Sequence, residues 1–144
     1  MIMFENYELI DWRDSFRNLE KNYLDFDNFR KKMRKLADAG AAEVYLDLFC
    51  QNYCALFNQT VDVIKYFLQE KGLFQQERKE ILAEAYYVEL IHDGQIWIDA
   101  MTLVEKYEQG KITDELKKLI IIYSTDGFFR IFDNIIAKLK EMVD

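Results

Sequence analysis

A chain of 144 residues with no proline at all has few ways to be interrupted. Proline ends helices because its ring removes an amide donor and clashes with the preceding turn. Without it, and with only five glycines, a helix runs until a glycine or a capping side chain stops it. The hydrophobic spacing agrees. Trp12, Phe16, Leu19, Tyr23 and Phe26 recur at steps of four and three, which puts them on one helical stripe. Met33 and Leu36 continue it, with Asp25–Asn28 offering a break and a fresh N-cap, and Asp38-Ala-Gly40 a stop. Tyr45, Leu48, Phe49, Leu56, Val63, Ile64 and Phe67 trace a second helix from about Ala42 to Lys71, closed by Gly72. At ~1.5 Å per residue it is about 45 Å long, and a helix of that length has to pack along most of itself. Gln51, Asn52, Asn58 and Gln59 are expected close to its core seam.

A shorter helix follows from about Gln75 to Val88, with Ile81, Leu82, Ala85 and Val88 inward. In Ile91–Gly94, Asp93 is placed to cap the next helix by accepting a backbone N–H, and Gly94 to ease the tight turn. That helix carries Ile96, Trp97, Ala100, Met101 and Val104 at helical spacing and ends near Gly110. Thr113 caps a last helix reaching about Val143, with Gly127 softening its middle. Leu116, Ile120, Tyr123, Ile131, Ile135 and Leu139 form its stripe. No strand-like alternation persists, and neither a repeat nor a linker divides the chain. The expectation is a single domain over 1–144: an all-α, up-and-down bundle of five or six helices.

Composition then narrows the function. Aromatic residues reach 15%, more surface than a thin core absorbs, so they point to a thick core or to a contact with another chain. The formal charge is −7, which repels phosphate backbones and argues against nucleic acid. The basic cluster Arg30, Lys31, Lys32, Arg34 and Lys35 reads as the solvated face of a helix whose apolar side is Phe29, Met33 and Leu36. No apolar run approaches the ~18–20 residues that cross a bilayer. The opening MIMFENYELIDW lacks a basic start followed by an apolar stretch, so no signal peptide is expected. Cys50 and Cys54 are four apart on a helix, a spacing ill suited to a disulfide, and are expected reduced, buried and cytoplasmic.

The chemistry-bearing residue types do not assemble into a known arrangement. His92 is the only histidine, which excludes two-histidine metal motifs. Glu89 and His92 have the Glu-x-x-His spacing of di-iron bundles, but those sites need two such pairs. Ser15 and Ser124 lie on no strand–turn–helix elbow, and no glycine run cradles phosphate. No metal or cofactor is expected.

One stretch carries a resemblance. Leu90–Trp97, LIHDGQIW, resembles the Leu-Ile-x-Asp-Gly-x-x-Trp pattern of the nucleotidyltransferase substrate-binding proteins, helical bundles of the HEPN superfamily. The likeness runs from about Glu43 to Val143, so that residues 41–144 form the family-like region. Residues 1–40 form a longer N-terminal helical segment outside it. The resemblance implies a homodimer encoded with a separate small nucleotidyltransferase, in pairs that behave as toxin and antitoxin. In such pairs the bundle can be a ribonuclease, silenced when its partner transfers nucleotides onto a tyrosine. The ribonuclease motif, Arg-Asn, three residues, His, one residue, Tyr, begins seven residues after the tryptophan. Here those positions hold Val104, Glu105, Gln109 and Lys111. Two positions that are commonly acidic in the family's long helix hold Cys54 and Asn58. The resemblance thus implies the scaffold without the general base or the phosphate-binding cation.

The expected function is a non-catalytic binding module that pairs with a small nucleotidyltransferase. Its binding residues are expected at Asp93, Gly94, Trp97, Glu105, Lys106 and Tyr107, beside the Asp93–Gly110 helix. Trp97 is expected to anchor that helix against the bundle or across a dimer seam. One alternative is a divergent nuclease or nucleotide-modified toxin using Tyr107 and Lys111; another is a purely structural homo-oligomer.

Overall fold

The computed structural model describes residues 10–38, 42–124 and 127–143. Among these, six helices follow one another: α1 (Trp12–Asp38), α2 (Ala42–Glu70), α3 (Arg78–Tyr87), α4 (Gly94–Glu108), α5 (Asp114–Ser124) and α6 (Gly127–Met142). No strand occurs among the described residues, and the chain is an all-α bundle. None of the described helices is long and apolar enough to cross a membrane.

α1 starts where the Asp11 carboxylate accepts the backbone N–H of Arg13 at 3.0 Å. It then runs through Asp25–Asn28 without the break expected there. Asp27 is not used as a cap, because its carboxylate meets Arg30 at 2.8 Å and Lys31 at 3.0 Å one turn on. Arg30 is not a solvated cation either: its guanidinium lies 3.9 Å from the centre of the Phe129 ring on α6. The stop expected at Gly40, and the side chains of Met33, Arg34, Leu36, Tyr45, Ile120 and Tyr123, lie outside the described residues.

α2 is the hub, with α1 along its length and α3, α4 and α5 against its other sides. The surplus of aromatic residues is largely spent here. Tyr53 on α2 is fully buried between Phe49 at 6.4 Å and Phe132 of α6 at 5.4 Å, and Trp12 meets Phe67 edge-on at 5.3 Å. Gln51 and Asn52 lie outward rather than on the core seam, and Leu48 is 37% exposed. α2 ends as expected at Gly72, whose φ of +83° suits a residue without Cβ.

The remaining departures are local. α3 starts at Arg78 rather than near Gln75, and Val88 falls just past its end and is 41% exposed. The expected last helix is two helices. Thr113 does cap the first, its Oγ1 accepting the Leu116 N–H at 3.1 Å, but Gly127 opens α6 instead of softening one continuous helix. α6 packs Ile131, Phe132, Ile135 and Leu139 back into the core, which places it against α4 and α1.

Candidate functional site: the two ends of α4

α4 is launched by a strained corner. Glu89 adopts φ 63°, a left-handed conformation that costs a residue with a Cβ about 1 kcal/mol or more. Leu90 and Ile91 hold the corner in place. Their N–H groups both bond back to the Ala85 carbonyl, at 2.8 and 3.3 Å, and both side chains are buried. Asp93 then has φ −88° and ψ 63°, while Gly94 N–H donates to the His92 carbonyl at 3.0 Å. That is an inverse γ-turn centred on Asp93. Its ψ is far from the extended value a capping residue needs, and the Asp93 side chain makes no capping bond, contrary to expectation. Gly94 has no positive φ, so the turn does not need it for backbone freedom. It is closely approached instead: a Cβ there would sit 3.2 Å from Cδ2 of the Tyr86 ring.

Trp97 stands one turn inside α4 and is 2% exposed. Its ring lies 6.0 Å from Phe57 on α2 and 6.5 Å from Phe132 on α6, nearly perpendicular to the latter. It anchors the start of α4 to two other helices, with almost none of its surface open to solvent. Beside it, between the His92–Asp93 corner and Asn134 and Lys138 of α6, is a hollow of only ≈ 70 Å³, room for about two waters. His92 and Asp93 are exposed there.

The other end of α4 is organised by charge. Val104 is fully buried, Glu105 and Tyr107 are half-buried, and Lys106 is exposed. Burial, and after it the nearby Cys54 and Cys50 thiols, push the Tyr107 hydroxyl pKa upward. Glu108 closes the helix. Its two carboxylate oxygens accept from Arg78, Nη1 at 2.6 Å and Nη2 at 2.9 Å, and one of them also accepts from Asn58 Nδ2 at 2.9 Å. The Arg78 hydrogen bonds hold the Glu108 carboxyl below its usual range, and burial opposes them. Helix dipoles make this arrangement costly: a cation opens α3 and an anion closes α4, each at the end that disfavours it. The two charges stand there because each answers the other, across 30 residues of chain. Asn58 Oδ1 is enclosed with no hydrogen-bond partner among the described residues. Nearby, burial raises the Asp62 carboxyl pKa, while Lys65 and Arg78 pull it the other way.

The six residues expected to bind therefore fall into two groups. Asp93, Gly94 and Trp97 are at the start of α4, and Glu105, Lys106 and Tyr107 are about 18 Å further along it. Arg78, Asn58, Asp62 and Glu108 were absent from that expectation. The readable clue to them was a helix opening on Arg-Lys and another closing on Glu, against the dipole rule.

The thiols are shielded from reaction. Cys50 and Cys54 are free and buried, and desolvation pushes their pKa values to about 11 and about 12. Among the described residues no three His, Cys, Asp or Glu side chains are grouped so as to hold a metal ion. In comparisons with known proteins, no family model matches the chain and no curated protein gives a significant match.

Proposed function

We propose that the chain is a non-catalytic helical binding module of the nucleotidyltransferase substrate-binding kind, a homodimer that pairs with a small nucleotidyltransferase in a toxin–antitoxin-like system. The observation that carries this reading is the use made of the C-terminal end of α4. In the family that LIHDGQIW resembles, the ribonuclease motif occupies this segment. Here Val104 is core, and Glu108 is held by Arg78 and Asn58. Gln109 N–H bonds to the Glu105 carbonyl, and Gly110, at φ +75°, turns the chain away. Glu108, with Arg78 and Asn58, is employed in holding three helices together.

A surface fixed in this way binds without paying much conformational entropy. Glu105, Lys106 and Tyr107 offer an acid, a cation and an amphipathic ring on one rigid helix end, which is recognition by shape and charge. The net charge of −7 favours a protein partner with a basic face over RNA. The reading requires a small nucleotidyltransferase encoded beside this chain, and calorimetric titration of one against the other tests it. The expected result is a stoichiometric complex weakened about 10-fold or more by Lys106→Glu combined with Tyr107→Ala. Failure of the two proteins to bind at about 100 µM would overturn it.

A further inference from the structure

α2 carries an anomaly of composition. From Leu48 to Val61, about four turns, it has no charged side chain, the longest such run in a chain whose charged residues make up 31%. Burial explains the inward members Phe49, Tyr53, Leu56 and Phe57. It does not explain the outward ones. Leu48, Gln51, Asn52 and Ala55 are exposed, at positions where a solvated helix normally carries Lys or Glu. The neighbouring face of α1 continues the theme with exposed Asn18 and Asn22. Between the two helices lies a groove of ≈ 480 Å³, floored by Phe26 and Leu56 and rimmed by Asn22, Asp25, Phe29, Asn52, Ala55 and Gln59. Asn22 Nδ2 donates to Gln59 Oε1 across it at 2.9 Å.

The geometry points to this α1–α2 face as the surface through which two copies of the chain associate, α2 against α2 with Ala55 at the crossing. Four features select a second copy as the occupant. Two chains of charge −7 repel each other, and this stretch is where they meet with the least like charge between them. Asp25, the acid on the rim, has Lys21 and Lys32 on either side of it along α1. Depletion of charge at the centre of a patch is the compositional mark of an interface core. Each amide on the rim carries both a donor and an acceptor, so the same groups from a second copy answer them, as a two-fold interface requires. Ala55 is small enough for helix axes to approach within about 8 Å. The area also fits. The uncharged run of α2 is about 21 Å long and, with the α1 face beside it about 20 Å wide, covers about 400 Å², the size of the core of a standard interface of ~800 Å² per partner whose rim the charged ends of the two helices supply.

The inference rests on the homodimeric part of the function proposed above and is independent of the nucleotidyltransferase, whose binding is read at α4. Sedimentation of the purified chain tests it, with Ala55→Glu compared against Ala137→Glu, at an alanine on α6 that is also exposed. The expected result is a wild-type dimer at about 100 µM, dissociated about 100-fold more readily by Ala55→Glu and unchanged by Ala137→Glu. Ala55→Cys, oxidised, should give a disulfide-linked dimer that Ala137→Cys does not. A wild-type monomer at that concentration overturns the inference, and so does a dimer indifferent to Ala55→Glu. Circular dichroism on each variant confirms that the bundle is folded.

Discussion

Gly72, Gly94 and Gly110 border helices, and the structure assigns them different duties that substitution by alanine can separate. Gly72 and Gly110 have φ of +83° and +75°, with nothing within 4 Å of where a Cβ would go. Alanine there costs about 1–2 kcal/mol for the left-handed backbone, offset by up to about 1 kcal/mol from the stiffer unfolded chain. The net loss is about 1 kcal/mol at each. Gly94 has an ordinary φ, and alanine is the better helix former by up to about 1 kcal/mol in a helix interior, less at the first turn. Against this stands the Tyr86 ring, 3.2 Å from the new methyl. Tyr86 is 57% exposed, so the ring can yield by a few tenths of an ångström at little cost. Gly94→Ala should therefore be neutral or stabilising by about 0.5 kcal/mol. Urea unfolding followed by circular dichroism, at one fixed protein concentration, measures all three. If Gly94→Ala lost as much as Gly110→Ala, the reading that Gly94 needs no backbone freedom and that the Tyr86 ring yields to a methyl would be wrong.

Other consequences arise from the same geometry. A double-mutant cycle on Arg78→Met and Glu108→Gln should give a coupling of about 1 kcal/mol, modest because both side chains remain about one-third exposed and water screens them. Glu108's pKa is depressed in the fold, so its contribution is complete at neutral pH. It is lost as pH falls from the ordinary 4.5 through the depressed value, and the gap between wild type and Glu108→Gln should close there. Asp62 has the opposite sign. Its raised pKa means that ionisation works against the fold, so Asp62→Asn should raise the urea midpoint at pH 7 and give no gain at acid pH, where the wild-type carboxyl is itself protonated. Trp97→Ala should cost about 3–5 kcal/mol, as expected for a ring packed against α2 and α6; a loss below about 1 kcal/mol would mean that the ring is not the anchor of α4.

Much of the bundle was legible because its punctuation is sparse and local. Gly72 and Gly110 stop helices at residues that the hydrophobic stripes already bracketed. What escaped was decided by side chains meeting across or along the helices. Asp25–Asn28 looks like a cap until Asp27 is seen holding Arg30 and Lys31. Asp93 and Gly94 look like a capped turn, but the capping role depends on a ψ value that the sequence does not specify and that the buried pair Leu90 and Ile91 helps to set. Gly127 carries no mark telling a softened helix from a new one. The Arg78–Glu108–Asn58 cluster joins residues 30 and 50 positions apart, beyond the reach of any periodicity. Of the six expected binding residues, Trp97 is the one whose place, anchoring α4 against the bundle, could be read from spacing alone.

Arg78, Asn58 and Glu108 join α3, α2 and the end of α4, and the function proposed above makes that end a joint and not a reaction centre. Incubating the purified chain with RNA and with labelled nucleoside triphosphates, and following both strand cleavage and label on the protein, addresses this most directly. Neither reaction should rise above buffer alone, for wild type and for Tyr107→Phe or Lys111→Ala alike. Cleavage or self-labelling by the wild-type chain that either substitution abolishes would contradict the joint and make this helix end an active site.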